Sequence, residues 1–509
     1  MLIFKYRIFF LVLLPAVFGS CRKDLYEAPI GSTYGDIFWT SQTSVEQATT
    51  AMYGQLRSCI RNSSAHFIDG DLAAGTFLPN AKQWNLASIK TSSNPPFNFS
   101  YVPYYEGVLT NPSRFYQLIA QANLILQKVP AMPSSAFTAE SVRKSYIAEA
   151  LFIRAYAYFY MIRIWGDPVY VTRTYDNVDY GNIPPLARTP EAAVLDSCLR
   201  DLKTAAAALS FSGGDPARAI RANKGSVCSV IAHVYAWQHQ YDSAHFYCRQ
   251  VITNGGYGLE PMSSYTNIWK GQSSGESIFE LPMTYSYSDP NFSSQNDAAE
   301  AQLSFFATFL KGPLVDNQTS TCWIAPQGGV LDNIFDTADA RYRTIFQSVP
   351  ASGGDLAGHM LVKYVNFLYQ QPGTKTLPYI NNDLVLLRLA DIYLLDAEAL
   401  ATLGDLGGAA ADLAMTETRA GISSYLNPAN QYDMLDEIVS ERGRELVGEG
   451  QWFYDLIRTE STQGWLEFVG YPSARVTAAN KGYYWPLDLT TLFPQDNLLV
   501  QNPWWATHH

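Results

Sequence analysis

Residues 381–458 contain the most regular apolar pattern of the chain, and this pattern constrains the fold more than any other feature. In residues 381–405, apolar side chains recur every three or four positions, as on the buried face of an α-helix. They are Leu386, Leu389, Ala390, Tyr393, Leu394, Ala397 and Leu400. Gly404 and Asp405 interrupt the pattern, and further helices are predicted at 406–420 and 436–459. Antiparallel helices joined by short turns are the unit of tetratricopeptide-type arrays, in which each pair buries its apolar face on the next.

The same periodicity occurs upstream and predicts a mainly α protein. Helices are expected at 44–58, 115–129, 140–165 and 191–209, and the clearest tetratricopeptide-like unit (223–259) has a helix ending at Trp237 and another at 243–253. We therefore predict tetratricopeptide-like helix pairs in an α-α superhelix, with long irregular loops and minor β structure. Residues 21–509 are expected to form one body in which irregular blocks at 63–105 and 265–379 interrupt the helix pairs. A short strand is predicted at 275–281.

The N-terminus has the pattern of a processing segment. Lys5 and Arg7 precede an apolar run at residues 8–17, and Gly19 and Ser20 precede Cys21. The apolar run is too short to span a bilayer, so residues 1–20 are interpreted as a signal peptide. The small residues before the cysteine resemble a lipoprotein signal, in which Cys21 becomes the lipidated first residue. Attached acyl chains would then hold the protein on a membrane.

Five cysteines follow the predicted lipidation site, and no pair of them has the spacing of a redox or zinc motif. They are Cys59, Cys198, Cys228, Cys248 and Cys322. Because five is an odd number, at least one thiol is expected to stay unpaired. Three of these cysteines lie in apolar, helical contexts, where they are interpreted as small core residues.

Two motifs in the helical regions have the spacing of a family signature. The first reads Ile438-x-x-Glu441-Arg442-x-x-Glu445-Leu446-x-x-Glu449-Gly450, followed by Asp455-Leu456-x-Arg458. The second comprises Ala150, Arg154, Ala155, Tyr156, Tyr158, Gly166, Asp167 and Pro168. Both motifs resemble the SusD/RagB family, although Trp452 stands where the family usually has a basic residue and Gly443 where a bulkier one is common. The resemblance extends from Cys21 to Trp504.

The resemblance implies a function at the surface of the cell. Family members are lipoproteins of Bacteroidetes-type bacteria that capture nutrients for a TonB-dependent outer-membrane transporter. We therefore expect a protein that is anchored through Cys21 to the outer membrane and faces outward. It would bind an oligosaccharide and deliver it, chemically unchanged, to a SusC-like transporter.

The charges of the first motif have a structural interpretation. Glu441, Glu445 and Glu449 are four residues apart, so they would form like-charge pairs along one helix face. Cations are expected to neutralise these pairs and to fix the packing of the helix. The predicted cations are Arg442, Arg444 and Arg458.

Aromatic residues make up 14% of the chain, with 33 Tyr and 11 Trp, which is more Tyr and Trp than a helical core needs. Flat aromatic side chains flanked by polar groups suit sugar rings, which have an apolar face and a rim of hydroxyls. Both irregular blocks contain this mixture, and in the family the ligand contacts come from loops in these two regions. The predicted ligand-binding residues are Asp69, Asp71, Trp84, Tyr285, Tyr287 and Trp323.

Composition and spacing argue against several other functions. A net charge of −11 makes a nucleic-acid partner unfavourable. His233, His239 and His245 are six residues apart, whereas a metal pair on a helix needs a spacing of three or four, so we expect them to be satisfied by other partners. Residues 271–275 match the G-x-S-x-G pattern of hydrolases but precede a predicted strand, where that pattern needs a helix. We predict no catalytic residue, no cofactor and no metal.

Three alternatives remain open at the level of the sequence. A peptide-binding member of the same family would use backbone hydrogen bonds and apolar pockets more than aromatic stacking. A helical interaction scaffold would bind a protein and no small ligand. A hydrolase would convert its ligand to products.

Overall fold

The computed structural model describes residues 38–61, 64–78, 107–174, 185–211, 219–270, 274–283, 305–310, 323–351, 357–369, 378–423, 428–468 and 471–507. The predicted signal peptide, Cys21, Cys322 and the site candidates Trp84, Tyr285 and Tyr287 lie outside these ranges. Within them, no helix is long and apolar enough to cross a membrane.

Helices dominate this part of the chain. The α-helices of seven or more residues are α1 (Gln42–Arg61), α2 (Ser113–Ala131), α3 (Glu140–Trp165), α4 (Glu191–Ala208), α5 (Lys224–Trp237), α6 (Tyr241–Asn254), α7 (Leu389–Leu403), α8 (Leu406–Arg419), α9 (Gln431–Glu445), α10 (Trp452–Arg458) and α11 (Thr462–Phe468), and a 3-10 helix of eight residues occupies Met262–Trp269. Shorter helices occupy Ala65–Phe67, Gly107–Thr110, Val330–Ile334 and Ala340–Ile345. A π-helical turn, Ile68–Leu72, directly follows the first of these short helices.

The long helices pack on one another in the order of the sequence. Helices α1 to α6 form an array in which each contacts the next, and α6 then packs on α7, although more than a hundred residues separate these two helices in the sequence. Helix α7 in turn contacts α8 and α9. The prediction of interrupted tetratricopeptide-like pairs is therefore confirmed: the second irregular block is an insertion that leaves the helical array continuous.

Most of helix α3 is buried in the array. From Ala148 to Trp165 its side chains are buried, apart from Arg154, which forms a two-point ion pair with Asp201 of α4 at 2.8 and 2.9 Å. The helix ends at Gly166, whose φ of 72° favours glycine. The second family-like motif therefore describes a core helix together with its end.

In the described part of the chain, seven short strands lie in or beside the second irregular block. They are β1 (Ser277–Leu281), β2 (Ile324–Pro326), β3 (Phe346–Val349), β4 (Gly358–Leu361), β5 (Phe367–Tyr369), β6 (Pro378–Ile380) and β7 (Leu384–Arg388). They form three antiparallel sheets in the orders β1-β7, β2-β4-β3 and β5-β6. The strand predicted at 275–281 is confirmed as β1, and the block contains more β structure than the sequence indicated.

The helix predicted from residue 381 begins later than expected. Residues 384–388 form strand β7, which is buried along its whole length and pairs with β1, and α7 starts only at Leu389. A continuous run of Leu and Val buried on both faces fits a short strand and a buried helix equally well, so periodicity alone cannot separate the two. The prediction of helix was wrong for these five residues.

The helix predicted at 436–459 is divided into α9 and α10. Gly448 and Gly450, with φ values of 73° and 72°, form a turn between the two helices that a residue with a Cβ adopts only under strain. Cys59, Cys198, Cys228 and Cys248 are free and buried, in agreement with their interpretation as small core residues.

Candidate functional site

The two irregular blocks contact each other directly. Leu78 and Ile324 exchange backbone hydrogen bonds of 2.9 and 3.1 Å, which form an isolated antiparallel bridge between the blocks. The hydroxyls of Ser64 and Thr308 lie 2.9 Å apart and form a second connection. Segments that are about 245 residues apart in the sequence therefore meet at one place, as the prediction of a shared ligand face requires.

A buried aromatic cluster lies beneath this junction, and its members come from both blocks. They are Phe67, Phe77, Phe305, Phe306, Phe309, Trp323 and Tyr364. Ring centroids are 4.6 Å apart for Phe67 and Phe305, and 5.0 Å apart for Phe77 and Phe309. Segments 79–106, 284–304 and 311–322 each begin or end within or next to this cluster. The cluster therefore adjoins, in the sequence, the segments that contain Trp84, Tyr285 and Tyr287.

Trp323 belongs to the cluster and is fully buried, with its ring 5.7 Å from that of Phe309 in an edge-to-face arrangement. An inaccessible ring cannot serve as a stacking surface for a sugar. In this structure Trp323 stabilises the junction, and its predicted role as a ligand contact is corrected accordingly.

Asp71 holds the first irregular block to the helical array. Its carboxylate accepts hydrogen bonds from the backbone N–H groups of Gly448 and Gly450, at 2.9 and 2.7 Å. Burial raises the pKa of Asp71 to about 7, although these two N–H groups act in the opposite direction. Gly70 packs so closely on Gly450 that a Cβ at position 70 would lie 2.2 Å from the carbonyl carbon of Gly450. Asp71 therefore has a structural role, and no carboxylate oxygen is left for a ligand at the surface.

Asp69, in the same π-helical turn, is also fully buried. Neither of its carboxylate oxygens has a hydrogen-bond partner within the described ranges, and burial raises the pKa of this group to about 8. An uncompensated buried charge is strongly unfavourable, so the side chain carries its proton at neutral pH. The prediction that Asp69 contacts a ligand is corrected for the same reason as that for Asp71: the group faces the interior.

The glutamates of the first motif form a buried ion-pair network beside Asp71. Arg388 contacts Glu276 at 2.7 Å, Glu445 at 2.6 Å and Glu449 at 2.9 Å. Further cations complete the network: Arg341 bonds to Glu441 and Glu445, Lys363 to Glu449, and Arg419 to Glu276 and Glu445. Burial would raise the pKa of Glu445, but Arg419, Arg388 and Arg341 together hold it well below its usual range.

The predicted cations of the motif have partly different partners. Arg444 pairs with Glu441 at 2.8 Å, as expected. Arg442 instead pairs with Asp391 and Asp455, and Arg458 with Glu398 and Asp455. The motif therefore connects α7, α9 and α10 and supports the region that holds Asp71, and most of the cations that neutralise its glutamates come from outside it.

The three histidines that raised the question of a metal site all have protein partners. His233 lies 2.7 Å from Asp391, His245 lies 2.6 Å from Asp396, and His239 bonds to the carbonyl of Arg458 at 2.9 Å. The interpretation of these histidines as satisfied side chains is confirmed. In the part of the chain that the structure describes, no group of three or more potential metal ligands occurs.

A separate apolar cleft of about 570 Å³ lies where α2, the end of α3 and the C-terminal chain meet. Two of its polar wall groups are bonded within the protein: the hydroxyl of Tyr116 accepts the N–H of Val169 at 2.8 Å, and Arg188 donates to the carbonyls of Trp165 and Val500. The cleft presents mainly apolar surface, and although Gly166, Asp167 and Pro168 of the second family-like motif line it, the sequence analysis did not predict a cleft there.

The matching family models, protein sequences and solved structures all point to one protein family. Two family models match the chain, one described as "SusD family" over residues 350–505 and one as "Starch-binding associating with outer membrane" over residues 83–236. SusD-like protein P38 of Formosa agariphila is 24% identical over 493 residues, covering 88% of this chain and 90% of that protein.

Solved structures resemble the chain over nearly its whole length. A SusD superfamily protein of Bacteroides thetaiotaomicron has a TM-score of 0.72 at 26% identity, covering 92% of this chain and 99% of that one. A laminarin-binding SusD-like protein has a TM-score of 0.67 at 21% identity, covering 91% and 99% of the two chains. The second likeness shows a shared fold, and the ligand in its description is that protein's own.

Proposed function

The chain belongs to the SusD/RagB family, and from this membership we propose that it is an outer-membrane lipoprotein that binds an oligosaccharide without altering it. Cys21 is the proposed site of the lipid anchor, and the bound glycan passes to a SusC-like TonB-dependent transporter at the cell surface. The starch-binding description of one matching family model and the laminarin-binding relative support a glycan as the ligand.

The observation that carries the proposal is the backbone bridge between Leu78 and Ile324 above the aromatic cluster. It joins the two irregular blocks, and two aromatic- and polar-rich segments adjoin this junction in the sequence: 79–106 follows Leu78, and 284–304 precedes Phe305 of the aromatic cluster. The ligand contacts that we propose are Trp84, Tyr285 and Tyr287 in these segments, because Asp69, Asp71 and Trp323 are buried below the junction. The buried residues would act indirectly, by fixing where the segments leave the body.

Calorimetric titration of the purified protein with a panel of plant, host and microbial oligosaccharides tests the proposal. We expect saturable heat from one glycan class and unchanged ligand when the mixture is afterwards separated by chromatography. Cleaved products would instead identify a hydrolase. Absence of binding across the panel, in the presence and absence of the transporter, would contradict the proposal and favour a protein scaffold.

A peptide ligand is the second candidate, and one observation favours it. The apolar cleft of about 570 Å³ between α2, α3 and the C-terminal chain offers the kind of pocket that apolar peptide side chains occupy. Adding a mixture of peptides to the titration panel separates the two ligands. Heat from peptides alone would replace the glycan with a peptide in the proposed function.

A further inference from the structure

Two adjacent clefts of about 320 and 470 Å³ lie near the ends of α5 and α10. His239, Arg458 and Glu460 line both clefts, so the two form one groove with a shared central wall. This groove is built from the helical array and the chain at residues 476–484, and none of its lining residues belongs to the irregular blocks.

Aromatic side chains form much of the groove's surface. In the larger cleft, Tyr432 is 78% exposed and Trp465 and Tyr241 are half-buried. The ring of Tyr241 stacks on that of His239, with centroids 6.0 Å apart and planes within 12°. Tyr483 adds a half-buried ring in the smaller cleft. Accessible rings along a concave surface can contact the flat faces of successive ligand rings.

Glu460 occupies its position in the groove despite an unfavourable backbone. It lies two residues after the end of α10 with a φ of 55°, a conformation in which glycine is the common residue at helix ends. His239 has the same relationship to α5, with a φ of 57°, but its ring is bonded to the carbonyl of Arg458. Glu460 has no such explanation: no described residue forms a hydrogen bond or ion pair with its carboxylate.

The remaining acids of the groove divide into paired and open groups. Glu398 is paired with Arg458, and Glu191 with Lys481 and the hydroxyl of Tyr484. Asp436, like Glu460, forms no hydrogen bond or ion pair to any residue within the described ranges, and its pKa is raised by burial and by nearby Asp433. The charge that the groove offers to a ligand is therefore negative, and it stands beside aromatic faces. Both features favour a cation.

We propose that this groove binds a glycan that carries protonated amino groups. Sugar rings would lie against Tyr432, Tyr241 and Tyr483, and the ammonium groups would pair with Glu460 and Asp436. The proposal extends the proposed glycan-binding function to a second site, which is independent of the segments that contain Trp84 and Tyr285.

Calorimetry with three matched oligomers tests the proposal: a glucosamine hexamer, its N-acetylated form and a cellulose hexamer, which has the same β1,4-linked ring backbone. We expect the glucosamine hexamer to bind at least about tenfold more tightly than the other two, and increasing salt to weaken that binding. Equal affinity for the three oligomers, or absence of binding by the glucosamine hexamer, would overturn the proposal.

Variants connect the binding to the groove. Glu460→Gln should weaken binding of the glucosamine hexamer about tenfold. Glu467 is an exposed acid on α11 that does not line the groove, so Glu467→Gln should leave this binding unchanged. Glu460→Gly should lose the same affinity while keeping or raising the melting temperature, because glycine relieves the positive φ. Unchanged binding in both Glu460 variants would overturn the assignment of the site.

One further variant separates this proposal from the main one. Trp84→Ala should leave binding of the glucosamine hexamer unchanged, even if it abolishes binding of the glycan found in the main panel. If Trp84→Ala also abolishes binding of the glucosamine hexamer, the amino glycan binds at the junction of the irregular blocks. The groove proposal is then wrong, while the proposed function stands.

Discussion

The carboxylate of Asp71 accepts a hydrogen bond of 2.7 Å from the backbone N–H of Gly450, 379 residues further along the chain. This contact joins the start of the first irregular block to the turn between α9 and α10. The aromatic cluster lies next to this contact through Phe67, which is four residues before Asp71. The helical array and the proposed ligand face are therefore coupled by a small number of buried contacts around one turn.

Removal of the Asp71 carboxylate should destabilise the protein strongly. Asp71→Ala leaves two buried N–H groups without an acceptor, which costs about 1–3 kcal/mol for each group. Gly450→Ala should be comparably harmful, because the new Cβ would lie 2.4 Å from the ring of His66 and the φ of 72° is unfavourable for alanine. Chemical denaturation measures both effects. Asp242→Ala, at an exposed position in the first turn of α6, is the control and should change stability by less than about 1 kcal/mol.

Asp69 should make the protein less stable as the pH rises. Its pKa is about 8 in the folded protein against an ordinary value of 3.8, so the folded state keeps a proton that the unfolded state has lost. This contribution to the free energy of unfolding is fully present below about pH 4 and declines as the pH rises towards 8.

Asp69→Asn should reduce this pH dependence, because an amide cannot lose the proton. The melting temperature of the variant should exceed that of the parent protein near pH 8.5 and approach it near pH 5. Some dependence should remain, since burial also raises the pKa values of Asp71, Asp383 and Glu417. Parallel melting curves for variant and parent across this range would contradict the assigned protonation of Asp69.

Arg388 should be among the most sensitive positions in the chain. It contacts Glu276, Glu445 and Glu449 in a fully buried network, so Arg388→Ala would leave three buried carboxylates with one cation fewer. Breaking a buried ion pair in this way costs about 3–5 kcal/mol. The partly exposed pair of Arg143 and Glu140 provides the matched comparison, and Arg143→Ala should cost less than about 1 kcal/mol in the same denaturation measurement.

Cys21 should determine whether the protein stays on the membrane. Because acyl chains at this residue are the proposed anchor, Cys21→Ala should release the protein from the membrane fraction of the cells that produce it. Cys59→Ala, which changes a buried thiol, should leave the membrane fraction unaffected. If Cys21→Ala remains in the membrane fraction, another feature attaches the protein.

The helical array was predictable from the sequence because its signals are local. The bounds predicted for α3, 140–165, coincide with the structure: apolar side chains predominate from Ile147 to Trp165, and Gly166 ends the helix. Strand β7 could not be predicted in this way, because its state depends on pairing with β1, more than a hundred residues earlier.

The errors in the predicted site residues have the same physical origin. The resemblance to the SusD/RagB family implied that the two irregular blocks share a ligand face, and the polar-rich composition of the blocks made Asp69, Asp71 and Trp323 look like surface groups. Their burial depends on distant partners, Gly448 and Gly450 for Asp71 and Phe309 for Trp323. Non-local contacts of this kind leave no periodic signal in the chain.

The most direct test of the account is titration of the bound glycan class against single aromatic variants. Trp84→Ala, Tyr285→Ala and Tyr287→Ala are compared with Phe246→Ala, which removes a ring that is 55% exposed on α6. We predict that at least one of the first three weakens binding about tenfold or more with an unchanged melting temperature, while Phe246→Ala binds as the parent does. Full affinity in all three variants would contradict the placement of the ligand at the junction of the two irregular blocks.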